Sequence, residues 1–291
     1  MPTEITFEQI HAPGSLILTA SRWPCLILPA EQRPKWLCSP YELGAHMLGL
    51  RAMPDPGDEV RRGKQLEAVA LKMLAEQLEE ELEGQTWVEH EWLEAGATLD
   101  GRTRAGIPAE TKVVDGRDFD RDWVSGPPIY PSLQAQCQIA CAGADHGIVG
   151  ALVLRHKTIE MHKFRVDRHD RIINALEVEA ERFSEMLKDG VYPPPDASPS
   201  SYAALQDLVT VKPTTIQVPG SEAMDRANRW RQAQADKKAA DAQIEAQRLW
   251  FAANASDAAV MELDDGSEIK RSQRTRKAHE CKESTYWNWK V

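Results

Sequence analysis

The sequence predicts an α+β fold of α/β/α character, with a mixed central β-sheet flanked by helices and a helical and hairpin appendage at the C-terminal end. Three observations lead there. Apolar residues recur with a helical period up to about Glu83 and alternate after Gly84. From that point the segments run as three strands, a helix, two strands and a helix. Tyr192-Pro193-Pro194-Pro195 then punctuates the chain ahead of a long stretch rich in Ala, Gln, Lys and Asp, which divides it into residues 1–210 and 211–291.

Taken in order, Thr19 to Ser21 and Ser39-Pro40 both look like helix starts, a small polar residue leading into an apolar pattern. A long helix is expected from Gly63 to about Glu83, with Gly84 as its C-cap and Leu66, Ala70, Leu71, Met73, Leu74 and Leu78 as its apolar side. Trp87–Leu93, Ala97–Asp100 and Pro108–Val114 read as strands. The residues from Asp115 to Pro131 read as a loop, and Leu133 to Ala142 as a helix. Ile148–Leu154 and Ile159–Val166 form a strand pair, and Arg171–Lys188 is an amphipathic helix closed at Gly190. Ser221–Asn254 is a strong helix former with a thin apolar stripe, and Asp265-Gly266 turns a hairpin between Val260–Leu263 and Ser267–Lys270.

Composition narrows the function classes. A formal charge of −10 over 291 residues excludes coating of nucleic acid by bulk positive charge, while leaving room for a local basic rim. No apolar run reaches the roughly 20 residues that span a bilayer. Met1 to Ser15 carries Glu4 and Glu8 and no basic-then-apolar block, so no signal peptide is expected. The five cysteines (Cys25, Cys38, Cys137, Cys141 and Cys281) lack CxxC spacing, which suits reduced thiols in the cytoplasm rather than a disulfide frame or a zinc site.

The chemistry is expected at Glu110-Thr111-Lys112. Alternation along a strand puts Glu110 and Lys112 on one face and turns Thr111 to the other, leaving its backbone carbonyl available as a ligand. Asp100 ends the preceding strand, so a hairpin can bring its carboxylate beside Glu110. Two carboxylates and a carbonyl are the hard oxygen donors that Mg²⁺ takes, and a nearby lysine can orient a water and stabilise charge on phosphate. A bare E-x-K is usually a solvated strand face, and Glu268-Ile269-Lys270 is read that way, since no separate strand brings it an aspartate. Glu67 falls in line with Ala70, Leu71, Leu74 and Leu78, an unfavourable place for an acid without a partner. In the following helix Leu133, Cys137, Ala140 and Cys141 form the apolar face; Gln134 and Gln138 point away from it, and Gln136 flanks it and can reach a site.

In this order the chain resembles the phage lambda exonuclease and YqaJ-like viral recombinase family, within the restriction-endonuclease-like PD-(D/E)xK nucleases. The resemblance runs from Leu18 to Leu208 and rests on Leu18-Thr19-Ala20-Ser21, Ser39-Pro40-Tyr41-Glu42-Leu43, Gly63-Lys64-Gln65-Leu66-Glu67, Leu99-Asp100-Gly101, Glu110-Thr111-Lys112, and Gln134-x-Gln136 with Gly143 seven residues on. It implies digestion of linear double-stranded DNA from the 5′ end with Mg²⁺, Mn²⁺ being a possible substitute, and without an iron–sulfur cluster. The products would be 3′ overhangs for a phage single-strand annealing protein, in a trimeric ring encoded by a phage or prophage. Asp100, Glu110 and the Thr111 carbonyl would hold metal, Lys112 would act on the water, and Glu67 and Gln136 would complete the site. Ser21 would hold the 5′-phosphate at the head of a helix, with Thr98 as a second hydroxyl. Gly14 stands where an arginine is expected, and Arg22 is its candidate replacement; Leu99 replaces a proline, and Pro131 a tyrosine, with Tyr130 one residue away. Arg51, Arg61, Arg62, Lys64, Arg102 and Arg104 are candidates for backbone contacts.

Two other readings compete. A Cas4/RecB-like nuclease with an iron–sulfur cluster needs several cysteines near the end of the domain, where the chain offers Cys281 alone. A catalytically silent DNA-binding or interaction protein would work through Ser221–Asn254, the hairpin and the basic stretch Lys270 to Lys277.

Overall fold

The computed structural model describes residues 10, 12–53, 55, 57–209, 216–218, 220–255 and 257–272, so Glu4, Glu8, Cys281 and the basic stretch past residue 272 lie outside the described residues. The chain divides into two compact units, Met1–Thr210 and Val211–Val291.

The first unit is built on a six-stranded mixed sheet. In chain order it contains β1 (Leu18–Thr19), α1 (Pro40–Met47), α2 (Asp58–Leu78), β2 (Glu83–Glu89), β3 (Ala95–Arg102), β4 (Pro108–Asp115), α3 (Gly116–Asp122), α4 (Ile129–Ala142), β5 (His146–Leu154), β6 (Ile159–Asp167), α5 (Asp170–Lys188) and α6 (Pro199–Leu208). The sheet order is β1-β3-β4-β5-β6, with β2 also on β3. The β1–β3 and β4–β5 pairs are parallel; β2–β3, β3–β4 and β5–β6 are antiparallel.

Alternation sorts the sheet onto two layers of helices. Ala109 and Leu152 join Ala70 and Leu74 of α2 and Met161 in one core. Val114, Val149, Ala151 and Val153 join Phe119, Trp123 and Ala135 of α4 in another. Glu110 and Lys112 therefore share the α4 face with Val114. Gly101 lets α2 come close, since a Cβ there would lie 2.6 Å from Leu71. That approach fixes the backbone beside Asp100.

Several expectations shift by a few residues, and some fail. Ser39 does cap α1, accepting from the Glu42 amide at 3.1 Å, with Pro40 in the first turn. Thr19 to Ser21 does not start an α-helix. Pairing with β3 holds Leu18–Thr19 as a strand, the Ala20 amide donates to Gly96 at 2.9 Å, and only a four-residue 3-10 helix, Trp23–Leu26, follows. The long helix starts at Asp58 and stops at Leu78, where Glu79 takes the left-handed conformation with φ 55°. Glu80 to Leu82 would suit more helix, but Glu83 and Gly84 pair with Arg102 and Gly101, so sheet pairing overrides local preference. Helix α3 occupies a stretch expected to be a loop, and α6 one for which no helix was expected.

The second unit contains α7 (Ser221–Asn254), a helix with no buried residue, and a hairpin of β7 (Val260–Glu262) and β8 (Glu268–Lys270). Gly266 turns it at φ 80°, and the Asp265 carboxylate accepts from the Ser267 amide at 2.9 Å.

Candidate active site

The site forms where the sheet is left unfinished. β2 covers one edge of β3 along Gly96–Arg102. The other edge is shared by β1, which pairs only at Ala95 and Gly96, and β4, which pairs only at Gly101 and Arg102. Between these contacts β3 and β4 diverge, and the carboxylate of Asp100 spans the gap. One of its oxygens accepts from both the amide (2.7 Å) and the hydroxyl (2.9 Å) of Thr111. In an extended strand the N–H and C=O of one residue leave by the same edge, so the Thr111 carbonyl also faces this gap.

On the α4 face Glu110 and Lys112 meet two glutamines. Lys112 Nζ donates to Glu110 Oε1 at 2.5 Å and to Gln134 Oε1 at 2.9 Å, and Gln138 Nε2 donates to the second Glu110 oxygen. The spacings match: the four residues from Gln134 to Gln138 advance roughly 6 Å along the helix, and two strand residues roughly 6.6 Å. Helix and strand run in opposite directions here, pairing Lys112 with Gln134 and Glu110 with Gln138. Glu110 is 3% exposed, while the Lys112 side chain keeps 26%, opening into a cleft.

The electrostatics follow from crowding two acids around one lysine. Burial, then the neighbouring Glu110 carboxylate, pushes the Asp100 carboxyl up to about 7, against the pull of Lys112 and the two Thr111 hydrogen bonds. Burial works against the Lys112 charge, but Glu110, Tyr130 and Asp100 together hold its ammonium above the usual lysine range. The site is therefore a carboxylate pair in need of positive charge, with a lysine fixed on one side of it.

A cleft of about 350 Å³ takes in Asp100, Glu110, Thr111 and Lys112 together with Glu67, Arg62, Trp36 and Tyr130. A larger, shallow depression of about 600 Å³ near Arg102 to Gly106 contains none of the four and offers no comparable chemistry. Glu67 is half-buried and turned toward Gln85, whose amide donates to it at 3.3 Å, so it lines the cleft without joining the Asp100–Glu110 pair.

Gln136 is elsewhere. Its Nε2 donates to the Asp167 carbonyl at 2.8 Å and its Oε1 accepts from the His169 amide at 2.9 Å, which ties α4 to the start of α5. The expectation assumed one apolar face on α4. The helix is instead buried nearly all round, so Gln134 and Gln138, expected to point away, occupy the site. Their spacing of four residues beside an E-x-K strand was the available signal.

The residues expected at the 5′-phosphate disperse. Ser21 is held near the site through its carbonyl, which accepts from the Tyr130 hydroxyl at 2.9 Å, but it heads no α-helix. Arg22 is half-buried beside Cys25 and Cys38, and burial lowers its pKa. Thr98, on β3, pairs with Trp87 of β2; Thr98, Ser21 and Arg22 all lie outside the cleft lining. Tyr130, which no sequence argument singled out beyond its near-match to a family tyrosine, packs under Lys112 with Nζ 5.7 Å from the ring centre. Of the basic candidates, Arg51 is committed to Glu42 and Asp207, and Arg61 to Asp55 and Asp58. Arg62 lines the cleft while paired with Asp115 at 3.1 Å.

The donor set fits a hard divalent cation. Among the described residues no three His, Cys, Asp or Glu side chains cluster as a metal cage. Two carboxylates with a carbonyl edge are what Mg²⁺ accepts when water and substrate phosphate supply the remaining ligands. The four described cysteines are buried, free thiols, and none lies in the cleft lining. No helix among the described residues is long and apolar enough to cross a membrane.

No protein-family model matches the chain, and no curated protein matches it. Solved structures do. An alkaline exonuclease from Laribacter hongkongensis (LHK-Exo) superposes with TM-score 0.52 at 21% identity, over 64% of this chain and 94% of that one. Its complex with dAMP gives 0.51 at 20%, over 63% and 93%. A phage-related exonuclease from Haemophilus somnus 129PT aligns over 60% of this chain and 97% of its own at 11% identity, with TM-score 0.44. At these identities the likeness speaks to architecture: the first unit has the restriction-endonuclease-like α+β fold of the Laribacter exonuclease.

Proposed function

We propose that the chain is a metal-dependent deoxyribonuclease that degrades linear double-stranded DNA from its ends. The observation that carries this reading is the buried Glu110–Lys112 pair with Asp100 across the strand gap, opening into a cleft. The fold shared with an alkaline exonuclease and the family resemblance in the sequence support it.

Asp100, Glu110 and the Thr111 carbonyl bind the cation in this reading. Bound there, Mg²⁺, or Mn²⁺ in its place, supplies Lewis acidity toward the phosphoryl group and makes a coordinated water more acidic. Lys112 has three N–H donors and two are engaged, by Glu110 and Gln134. The third is left for the attacking water or a phosphate oxygen, where it offsets developing negative charge. Gln134 aims Lys112, and Gln138 holds the Glu110 carboxylate toward the gap. Glu67 orients water at the cleft wall.

In its finer form the reading is 5′-to-3′ digestion that leaves 3′ overhangs for a single-strand annealing partner, in a trimer. Blunt duplexes with and without a 5′-phosphate, in Mg²⁺ and in EDTA, test it beside a hairpin-capped duplex without ends. Mg²⁺-dependent loss of the open duplexes is expected, fastest with the 5′-phosphate, and the capped duplex should survive. Digestion by Lys112→Ala at the wild-type rate would overturn the site, and cutting of the capped duplex would overturn the end requirement.

A further inference from the structure

We propose that Trp36 is a base-stacking subsite, taking the face of a nucleobase next to the scissile phosphodiester; this rests on the nuclease reading above. Trp36 is 53% exposed, yet it is held in place. It occupies a turn closed by the Leu37 amide donating to the Pro34 carbonyl at 2.9 Å, with Lys35 and Trp36 as its central residues. The turn is anchored at both ends. Arg33 pairs with Asp196 at 2.5 Å and donates to the Leu28 carbonyl at 3.2 Å, while Leu37 and Cys38 are buried in the core. The indole meets the Tyr130 ring edge-on, with centroids 4.6 Å apart and planes at 88°. Tyr130 in turn is pinned by its hydroxyl to Ser21 and lies under Lys112.

Exposed aromatic residues scattered singly need no explanation. Trp92 and Trp250 are as exposed as Trp36, and neither lines this cleft. Trp36 does, on the same wall system as Asp100, Glu110 and Lys112. Through Tyr130 its ring lies within about 10 Å of Lys112 Nζ, close enough for the base of a nucleotide adjoining a phosphate held at Lys112. A flat, preoriented apolar face beside a phosphate-handling site suits the one feature all four nucleotides share, the base π-face. Lys35 beside it is exposed and makes no ion pair among the described residues, which suits the accompanying backbone phosphate.

The test uses duplexes carrying 2-aminopurine at the first or second nucleotide of the 5′-ended strand, bound by the full chain with Ca²⁺ in place of Mg²⁺. Stacking on Trp36 should change the fluorescence on binding, and Trp36→Ala should abolish that change while Trp36→Phe retains most of it. Removing the terminal base should weaken wild-type binding about 10-fold and leave Trp36→Ala indifferent. An unchanged 2-aminopurine response in Trp36→Ala, with wild type still digesting DNA, overturns the subsite and leaves the nuclease reading standing. Absence of both binding and digestion in wild type overturns the two together.

Discussion

Among the described residues the same three-residue pattern occurs twice, once in each unit, and in both copies the lysine pairs with the glutamate two residues before it. Lys112 and Glu110 meet at 2.5 Å, Lys270 and Glu268 at 2.6 Å. The contacts are nearly identical, and the surroundings are not. The first pair has side-chain exposures of 26% and 4%, with Asp100, Gln134 and Gln138 around it. The second has 68% and 47%, on a hairpin in water. An ion pair in water contributes little, because solvent screens it and its side chains lose freedom in making it. The buried pair was desolvated on folding, and each of its atoms leans on a specific neighbour. Chemistry therefore belongs to the enclosure, which the motif alone does not supply.

The comparison breaks most easily at activity. Lys112→Ala and Glu110→Gln should each lower Mg²⁺-dependent digestion by about 10²- to 10³-fold, whereas Lys270→Ala and Glu268→Gln should stay within about twofold; similar losses in both pairs would dissolve the contrast. Stability comes next. In urea titrations with EDTA, Lys112→Ala should destabilise the first unit by about 3 kcal/mol, because it strands a buried carboxylate, and Lys270→Ala should cost under about 0.5 kcal/mol. Cation binding sharpens the contrast further. Saturating Mg²⁺ should raise the melting temperature of wild type and of Glu268→Gln by the equivalent of about 2 kcal/mol, and leave Glu110→Gln unmoved. The smallest effects separate the glutamines. Gln134→Ala should lower kcat about 10-fold with little change in stability, while Gln136→Ala should cost about 1 kcal/mol of stability and leave kcat alone.

The sheet was legible because strands announce themselves locally. Pro108–Val114 and Ile148–Leu154 carry β-branched and apolar runs between turn residues, and the observed strands differ only at their ends. Asp100, Glu110, Thr111 and Lys112 were legible for the same reason, since alternation fixes which side chains share a face. What escaped reading depends on partners distant in sequence. Nothing near Leu82 says that Glu83 will pair with Arg102, and nothing near Ser21 says that Leu18 and Thr19 will be drawn onto β3. The glutamines of α4 failed differently. An apolar stripe marks the buried face only of a helix whose other face is wet; α4 is enclosed, so its polar side chains had to find partners inside the protein.

The rungs between α4 and β4 also set how the chain can change in length. A residue inserted between Gln134 and Gln138 would rotate one amide about 100° around the helix axis relative to the other. Lys112 and Glu110 could then no longer both be served, whatever residue was added. Single insertions or deletions within that turn are therefore excluded, while a compensated change of a whole turn keeps the phase. Past Gly143, whose left-handed backbone ends the helix, an extra residue shifts no rung. Variation in length along this part of the molecule is confined to the connections around the helix, and the four-residue spacing between Gln134 and Gln138 stays fixed.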